Sequence, residues 1–218
     1  MEFAITGAIM KLYHIPASCS LGTHIVLKEL GLDATLVKVD YKRHVTDDGA
    51  SFYDVNAHGY VPALELDDGR MLREGPAIMQ YLADLRPEAR LAPPNGSFER
   101  YRLQEWLNFL STEVHKGFIP LLYAAQAGNY VAMARPKLEQ RYAWIDEQLA
   151  GKPYLMGEHF SVADAYLFAL TGWGQAPWLT SYYKAAIHFD RLDHLRHWYQ
   201  RMQARPAVQQ ALREEGLI

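Results

Sequence analysis

The chain has 218 residues, of which 50% are hydrophobic and 22% are charged, and its formal net charge is −3. This length suits two small domains, and the apolar content excludes a disordered chain. The charge provides no basic surface for nucleic acid, and no apolar run approaches the roughly 18 residues that a membrane-spanning helix needs. The single cysteine excludes an intrachain disulfide and points to a reducing compartment or a reactive thiol.

Strand and helix patterns alternate over the first part of the chain. Strands are predicted at 11–15, 35–39, 61–66 and from residue 71, helices at 19–30 and 75–84, and a loop with a short helix at 41–56. The turn Asp67-Asp68-Gly69-Arg70 joins the last two strands as a hairpin. The order β-α-β followed by β-β-α predicts a small α/β sandwich, with four strands in a mixed sheet and three helices between residues 10 and 85.

The pattern changes at residues 86–96, which hold three prolines, one glycine and no periodicity, as a linker would. Helical periods follow at 97–123, 129–149, 161–170, 191–204 and from Pro206. We therefore predict a first domain at 10–86, a linker at 87–96 and an all-helical domain at 97–218. Residues 1–9 are expected to be an extension before a natural start at Met10.

Cys19 lies where the first predicted strand ends and the first helix begins. Helix N-termini present free N–H groups and partial positive charge, which stabilise a thiolate and lower its pKa. We therefore predict a reactive thiol with a pKa of about 7 or lower, against the alternative that a lone cysteine is buried and inert. Gly22 stands where a dithiol motif would have its second cysteine, which excludes a redox pair.

Two short motifs suggest a site for a peptide-like ligand. After a strand and a helix-terminal cysteine, Val61-Pro62 is typical of a thioredoxin-like sheet, where a cis proline turns the preceding backbone toward the ligand. The alternative is an ordinary edge-strand proline. Glu74-Gly75-Pro76 opens a helix whose free N–H groups would hold a carboxylate, unless it is simply a helix start with an acidic residue near the dipole.

A third candidate lies inside the long helix predicted at 97–123. Asn108, Thr112 and His115 are spaced i, i+4 and i+7, so they would share one face of a regular α-helix. A polar triple on an otherwise apolar helix suggests that it lines a cleft. A solvated face would explain the spacing nearly as well.

Taken together, these residues resemble the bacterial beta-class glutathione transferases from Met10 to the C-terminus. The supporting stretches are 11–13, 18–21, 37–40, 59–64, 74–84, 105–108, 112–118 and 162–168, and residues 95–101 resemble members associated with degradation of chlorinated aromatics. The resemblance implies the glutathione transferase fold, an α/β thioredoxin-like N-terminal domain plus an all-α C-terminal domain. It also implies a cytoplasmic homodimer that uses reduced glutathione as co-substrate, without a metal and without a nucleic-acid or membrane partner.

The resemblance assigns roles to individual residues. Val61 and Pro62 would face the peptide backbone of glutathione, and Glu74 and Gly75 would hold its γ-glutamyl end. The catalytic pair would be Cys19, lying against the glutathione sulfur, and His115, which enters from the second domain. The remaining glutathione-binding residues that it implies are His44, Asn108, Thr112 and Lys116.

Three positions depart from the family pattern. His44 stands where a lysine usually reaches the glycyl carboxylate, His14 where an aromatic residue is usual, and Ala57 where a proline is usual before Gly59. Extra sequence at 175–190 lies beside the expected electrophile pocket and contains aromatic side chains at Trp178, Tyr182, Tyr183 and Phe189. We therefore expect an unusual electrophile site.

Two functions compete on this sequence. The first is a transferase that detoxifies small hydrophobic electrophiles by conjugation to glutathione, with Cys19-dependent thiol–disulfide exchange or reductive dehalogenation as a further activity. The second is a non-enzymatic binding or regulatory protein on the same fold, of the stringent-starvation type. Cys19, Val61-Pro62, Glu74 and His115 favour the enzyme, because a regulator need not keep a glutathione cleft.

Overall fold

A computed structural model describes residues 10–176 and 189–218 of the chain. The predicted extension at 1–9 and the aromatic residues Trp178, Tyr182 and Tyr183 therefore lie outside the described residues. Within the described ranges, no helix has both the length and the apolar character that crossing a bilayer requires.

The first part of the chain forms one mixed sheet. Its strands are β1 (Met10–His14), β2 (Ala34–Asp40), β3 (Val45–Thr46), β4 (Ala63–Glu65) and β5 (Met71–Arg73), in the order β3-β2-β1-β4-β5. β1 pairs parallel with β2, and the other three pairings are antiparallel. The central position of β1 suits Leu12, which is fully buried and lies opposite Leu36 on β2 and Leu64 on β4.

The predicted count of four strands and three helices is wrong in two details. A fifth, two-residue strand forms because the chain turns back after β2, where the Asp40 carboxylate accepts the N–H groups of Lys42 and Arg43. Only two α-helices pack in this part, α1 (Ser20–Glu29) and α2 (Gly75–Leu85). The third predicted helix is a single 3₁₀ turn at Phe52–Asp54.

The described residues after 97 form helices. They are α3 (Phe98–Phe109), α4 (Lys116–Leu122), α5 (Ala124–Ala127), α6 (Val131–Leu149), α7 (Val162–Gln175), α8 (Asp193–Gln203) and α9 (Pro206–Glu214). Between α3 and α4, residues Leu110–His115 form a π-helical turn, so the long helix predicted at 97–123 is interrupted. Such wide turns are frequent at functional sites, and this one ends directly before Lys116.

Helix α7 lies at the centre of the molecule and is buried over most of its length. A capping box lies at its start, where the Asp164 carboxylate accepts the Ser161 N–H and hydroxyl. Helix α1 approaches α7 closely at Gly22, where an added Cβ would lie 3.2 Å from both the Ala165 oxygen and the Tyr166 Cα. Glycine at this position therefore lets the helix that follows Cys19 pack directly on the helical part of the chain.

Candidate functional site

Cys19 occupies the N-cap position of α1, directly after the loop that leaves β1. Its thiol donates a hydrogen bond to the carbonyl oxygen of Val61, at 3.3 Å. The structure thus brings together two predicted site residues that are 42 positions apart in the sequence. Because Val61 lies two residues before β4 and Cys19 follows β1, which pairs antiparallel with β4, both lie at one edge of the sheet.

Burial raises the pKa of the Cys19 thiol to about 12, and the nearby Glu74 carboxylate contributes to the rise. The N–H groups of Cys19 and Ser20 and the Lys116 ammonium oppose it, but desolvation is the larger effect. The hydrogen bond to Val61 also favours the protonated thiol, which is its donor. The prediction of a lowered pKa at Cys19 is therefore wrong for the unliganded protein, because desolvation outweighs the helix N-terminus.

Alkylation should report this directly, since Cys19 is the only thiol in the chain. We expect the rate of iodoacetamide labelling of the folded protein to keep rising beyond pH 10 without a plateau, because burial raises the pKa to about 12. The same chain unfolded in urea is the matched control and should titrate near about 8.5. A plateau in the folded protein with a midpoint at or below about 8.5 would contradict this expectation.

The Val61–Pro62 peptide bond is cis, which confirms that prediction. The start of α2 lies against this proline, since a Cβ added to Gly75 would lie 3.5 Å from the Pro62 ring. Glu74, directly before α2, is exposed and has a φ of 68°, a conformation that non-glycine residues rarely adopt. The start of α2 therefore lies against the residues just before β4. Four predicted glutathione-binding residues lie in this region: Val61, Pro62, Glu74 and Gly75.

His115 and Lys116 reach the same region from the helical part of the chain. The His115 Nδ1 lies 2.7 Å from the Tyr166 hydroxyl, and its ring packs edge-on against Trp173 at 5.1 Å between centroids. Burial, together with the charge of Lys116, lowers the pKa of His115 to about 4, so its imidazole is neutral. The Lys116 ammonium lies 5.8 Å from the centre of the Tyr60 ring and interacts electrostatically with Cys19.

The predicted shared face of Asn108, Thr112 and His115 is only partly correct. Asn108 and Thr112 remain neighbours on an exposed surface, where the Thr112 hydroxyl donates to the Asn108 carbonyl. His115 instead turns toward α7 and is half-buried. The reason is the π-helical turn, whose smaller rotation per residue shifts His115 out of the i, i+7 alignment that a regular helix would give.

His44 packs beside Gly59, two residues before Val61. Its ring lies 4.9 Å from that of Tyr53, and a Cβ added to Gly59 would lie 2.7 Å from His44 Nδ1. That nitrogen is buried and has no hydrogen-bond partner among the described residues. His44 itself has a φ of 51°. The imidazole is therefore held in place by packing rather than by hydrogen bonds at Nδ1.

Residues distant in sequence also hold the loop that carries Cys19, and sequence reasoning gave none of them a role at the site. The Trp173 indole N–H donates to the Ala17 carbonyl at 2.7 Å, and the Ala17 N–H donates to the Glu215 carboxylate at 2.9 Å. Tyr166, which contacts His115, is seven residues before Trp173, so both lie on the same side of α7. The seven-residue spacing of Tyr166 and Trp173 could have predicted from the sequence that they share one side of this helix.

Comparisons with known proteins agree with this geometry. A model described as the glutathione S-transferase N-terminal domain matches residues 17–85, and one described as the C-terminal domain matches residues 109–206. Glutathione S-transferase GstA of Escherichia coli O157:H7 is 43% identical over 208 residues, which cover 95% of this chain and 100% of the relative.

Two solved structures agree as well. A sphingomonad glutathione S-transferase complexed with glutathione is 41% identical, with a TM-score of 0.87 over 95% of this chain and 100% of that one. The bacterial beta-class glutathione S-transferase of Sphingomonas chungbukensis is 39% identical, with the same TM-score and the same coverage. The chain therefore belongs to the glutathione S-transferase family, in its bacterial beta class.

Proposed function

We propose that the chain conjugates reduced glutathione to small hydrophobic electrophiles and so detoxifies them. The observation that carries this proposal is that residues from the two halves of the chain meet around Cys19. The sheet contributes Cys19 and the Val61 carbonyl, and the helices contribute a neutral His115 and the cationic Lys116. Neutral donors and a cation around a thiol position would stabilise a glutathione thiolate, which is the nucleophile in conjugation.

The reaction with a haloarene illustrates the chemistry. The glutathione sulfur attacks the ring carbon, a C–S bond forms and the C–halogen bond breaks. The halide leaves with the bonding electrons, and the thiol proton passes to solvent. In this scheme Cys19 lines the position of the sulfur and is not itself the nucleophile, which agrees with its raised pKa.

The other parts of glutathione are assigned by position. Val61 and Pro62 would face the peptide backbone, and Glu74 with the Gly75 N–H would hold the γ-glutamyl end at the start of α2. His44 would meet the glycyl carboxylate through an imidazole, which is a weaker cation than lysine near neutral pH. The strained backbone of Glu74 supports a binding role there.

We also propose the domain limits and assembly predicted above, namely a glutathione-binding domain at 10–86, a linker at 87–96 and a helical domain at 97–218, in a cytoplasmic homodimer. Exposed aromatic side chains on α3, Phe98 at 73% and Tyr101 at 60%, support burial against a second copy. Asn108 and Thr112 are exposed further along the same helical segment, where they would complete the site of the partner subunit.

Conjugation is favoured over the other activities that the sequence suggested. Thiol–disulfide exchange or reductive dehalogenation through Cys19 needs its thiolate, and the raised pKa makes that form scarce at neutral pH. A regulatory protein of the stringent-starvation type would not need His115 and Lys116 beside Cys19. The 43% identity to a named glutathione S-transferase over almost the whole chain also favours the transferase.

Glutathione binding and turnover test the proposal. Calorimetric titration with reduced glutathione and an assay with 1-chloro-2,4-dinitrobenzene should both give a positive result. We expect Glu74→Gln to raise the KM for glutathione about tenfold or more, because a charge-assisted hydrogen bond is lost. Glu88→Gln is the matched control, since Glu88 is an exposed glutamate outside the site. A wild-type protein that neither binds glutathione nor turns over would refute the function, and equal effects of both variants would refute the role of Glu74.

A further inference from the structure

Tyr166 is a buried tyrosine whose role the reaction scheme above leaves unexplained. Its side chain is almost inaccessible at 2% exposure, and its hydroxyl lies 2.7 Å from His115 Nδ1. It also interacts electrostatically with Cys19 and Glu74, so it lies near the proposed glutathione site. A buried tyrosine hydroxyl normally has a partner, and here the partner is a histidine of the same site.

The direction of this hydrogen bond follows from the protonation states of both groups together with the length of the bond. Burial holds the pKa of Tyr166 far above its usual range, so the hydroxyl keeps its proton. Burial, together with the charge of Lys116, lowers the pKa of His115 to about 4, so the ring carries one proton only. The bond length agrees with a hydroxyl donor, because 2.7 Å is typical of O–H donors and shorter than most N–H···O bonds.

A phenol hydroxyl is also a stronger donor than a neutral imidazole N–H, and an imidazole nitrogen is a stronger acceptor than a phenol oxygen. Tyr166 therefore donates to Nδ1, which must be the unprotonated nitrogen, and the single imidazole proton is on Nε2. The ring is also held sterically, because Trp173 packs edge-on against it at 5.1 Å. Tyr166 in turn belongs to the stretch of α7 on which Gly22 packs, so its backbone is fixed against α1.

We propose that Tyr166 is a positioning residue that locks His115 in the Nε2–H tautomer, so that Nε2–H donates a hydrogen bond to the glutathione sulfur. This inference rests on the proposed function, since the proton fixed on Nε2 would hydrogen-bond to the sulfur that reacts in conjugation. Without the Tyr166 hydroxyl, the two neutral tautomers of His115 would exchange, and the donor would be present for only part of the time.

Three measurements on Tyr166→Phe test the inference. Nitrogen-15 spectra of the unliganded protein, assigned by comparison with His115→Gln, should show a wild-type His115 protonated at Nε2 and a mixture of tautomers in Tyr166→Phe. With glutathione bound, the thiolate absorbance should titrate about one pKa unit higher in Tyr166→Phe, and kcat/KM near neutral pH should fall up to about tenfold. The KM for glutathione should change little, because the peptide contacts remain.

Two controls separate positioning from general destabilisation. Tyr142→Phe also removes one buried tyrosine hydroxyl, which bonds to Thr171 at 3.3 Å, and it should leave the thiol titration unchanged. In a His115→Gln background, Tyr166→Phe should have no further effect, because both changes act through one imidazole.

The outcomes separate this inference from the proposed function. A wild-type His115 protonated at Nδ1, or effects of Tyr166→Phe that persist in the His115→Gln background, would overturn the role of Tyr166 even in an active transferase. A wild-type protein with the Nε2–H tautomer that failed to bind glutathione would instead overturn the proposed function and the hydrogen bond from Nε2–H to the glutathione sulfur. The expected tautomer, thiol shift and loss of additivity together support both.

Discussion

Replacing Asp164 with alanine is expected to cost about 4 kcal/mol or more of folding free energy, a large share of what a domain of this size has. The carboxylate is fully buried and accepts four hydrogen bonds. Their donors are the N–H groups of Leu155 and Ser161, the Ser161 hydroxyl and the Trp198 indole. Burial raises the pKa of Asp164, and these four donors oppose the rise.

The large effect is expected because Asp164 joins three segments of the helical domain, and alanine would leave their buried N–H groups without acceptors. Urea unfolding followed by fluorescence and circular dichroism measures the loss. Asp164→Asn keeps one acceptor oxygen and should lose less folding free energy. This variant can therefore be measured even if the alanine variant does not fold. Asp146→Ala is the matched control, because Asp146 accepts one backbone N–H, from Leu195, and should cost about 1 kcal/mol. Similar losses for Asp164→Ala and Asp146→Ala would contradict the expectation.

Local patterns in the sequence were sufficient to predict most of the fold. The helix start at Ser161 and the strand β1 each depend on residues within a few positions of one another. The cis bond at Pro62 was predicted instead from the order of a strand, a helix-terminal cysteine and Val61-Pro62. The two-residue strand β3 was not predicted because it is too short to show a pattern and pairs with β2 only through the turn at Asp40. The π-helical turn escaped for a similar reason, since the apolar period on both sides of it is helical.

The candidate site was less predictable because its properties depend on burial and on distant residues. A helix N-terminus alone favours a thiolate at Cys19, but the sequence does not reveal the desolvation that outweighs it. Likewise, the hydrogen bond between Ala17 and Glu215 spans 198 positions, and nothing local to either residue indicates it. The residue types at the site could be predicted from the sequence. Their pKa values could not, because these depend on how the residues are packed in the folded protein.

Glu215 forms the centre of a buried charged cluster at the C-terminal end of α9. Its carboxylate accepts the Ala17 N–H and lies 3.0 Å from His24 Nδ1, while the other ring nitrogen of His24 lies 2.9 Å from Glu214. His14 Nδ1 lies 3.7 Å from Glu215, which is too long for a hydrogen bond. Although burial opposes the shift, His14, His24 and the Ala17 N–H hold the pKa of Glu215 below its usual value.

Glu215→Gln is therefore expected to cost about 3 kcal/mol, because the Ala17 N–H and the His24 ring lose a buried, charged partner. The weaker bond to the Ala17 N–H should loosen the loop before Cys19. Faster hydrogen exchange of the Ala17 amide would report this change. Glu214→Gln is the matched control: this neighbour contacts the same imidazole but is partly exposed, and it should cost about 1 kcal/mol or less. Equal losses of folding free energy for the two variants would show that the burial of Glu215 does not determine how much this cluster stabilises the protein.

The same cluster predicts how stability depends on pH. Although burial opposes it, Lys28, Gln210 and His24 hold the pKa of Glu214 at about 2, and the pKa of Glu215 is lowered as well. A carboxyl with a lowered pKa in the folded state stabilises the protein fully above its unfolded pKa of about 4.3. That contribution is lost as the pH falls toward the folded value, so the wild type should lose stability between about pH 5 and pH 2. The loss should be smaller in Glu215→Gln, whose side chain does not titrate, and denaturant unfolding at a series of pH values measures it. An equal acid dependence in both proteins would mean that Glu215 contributes no charge-dependent stability.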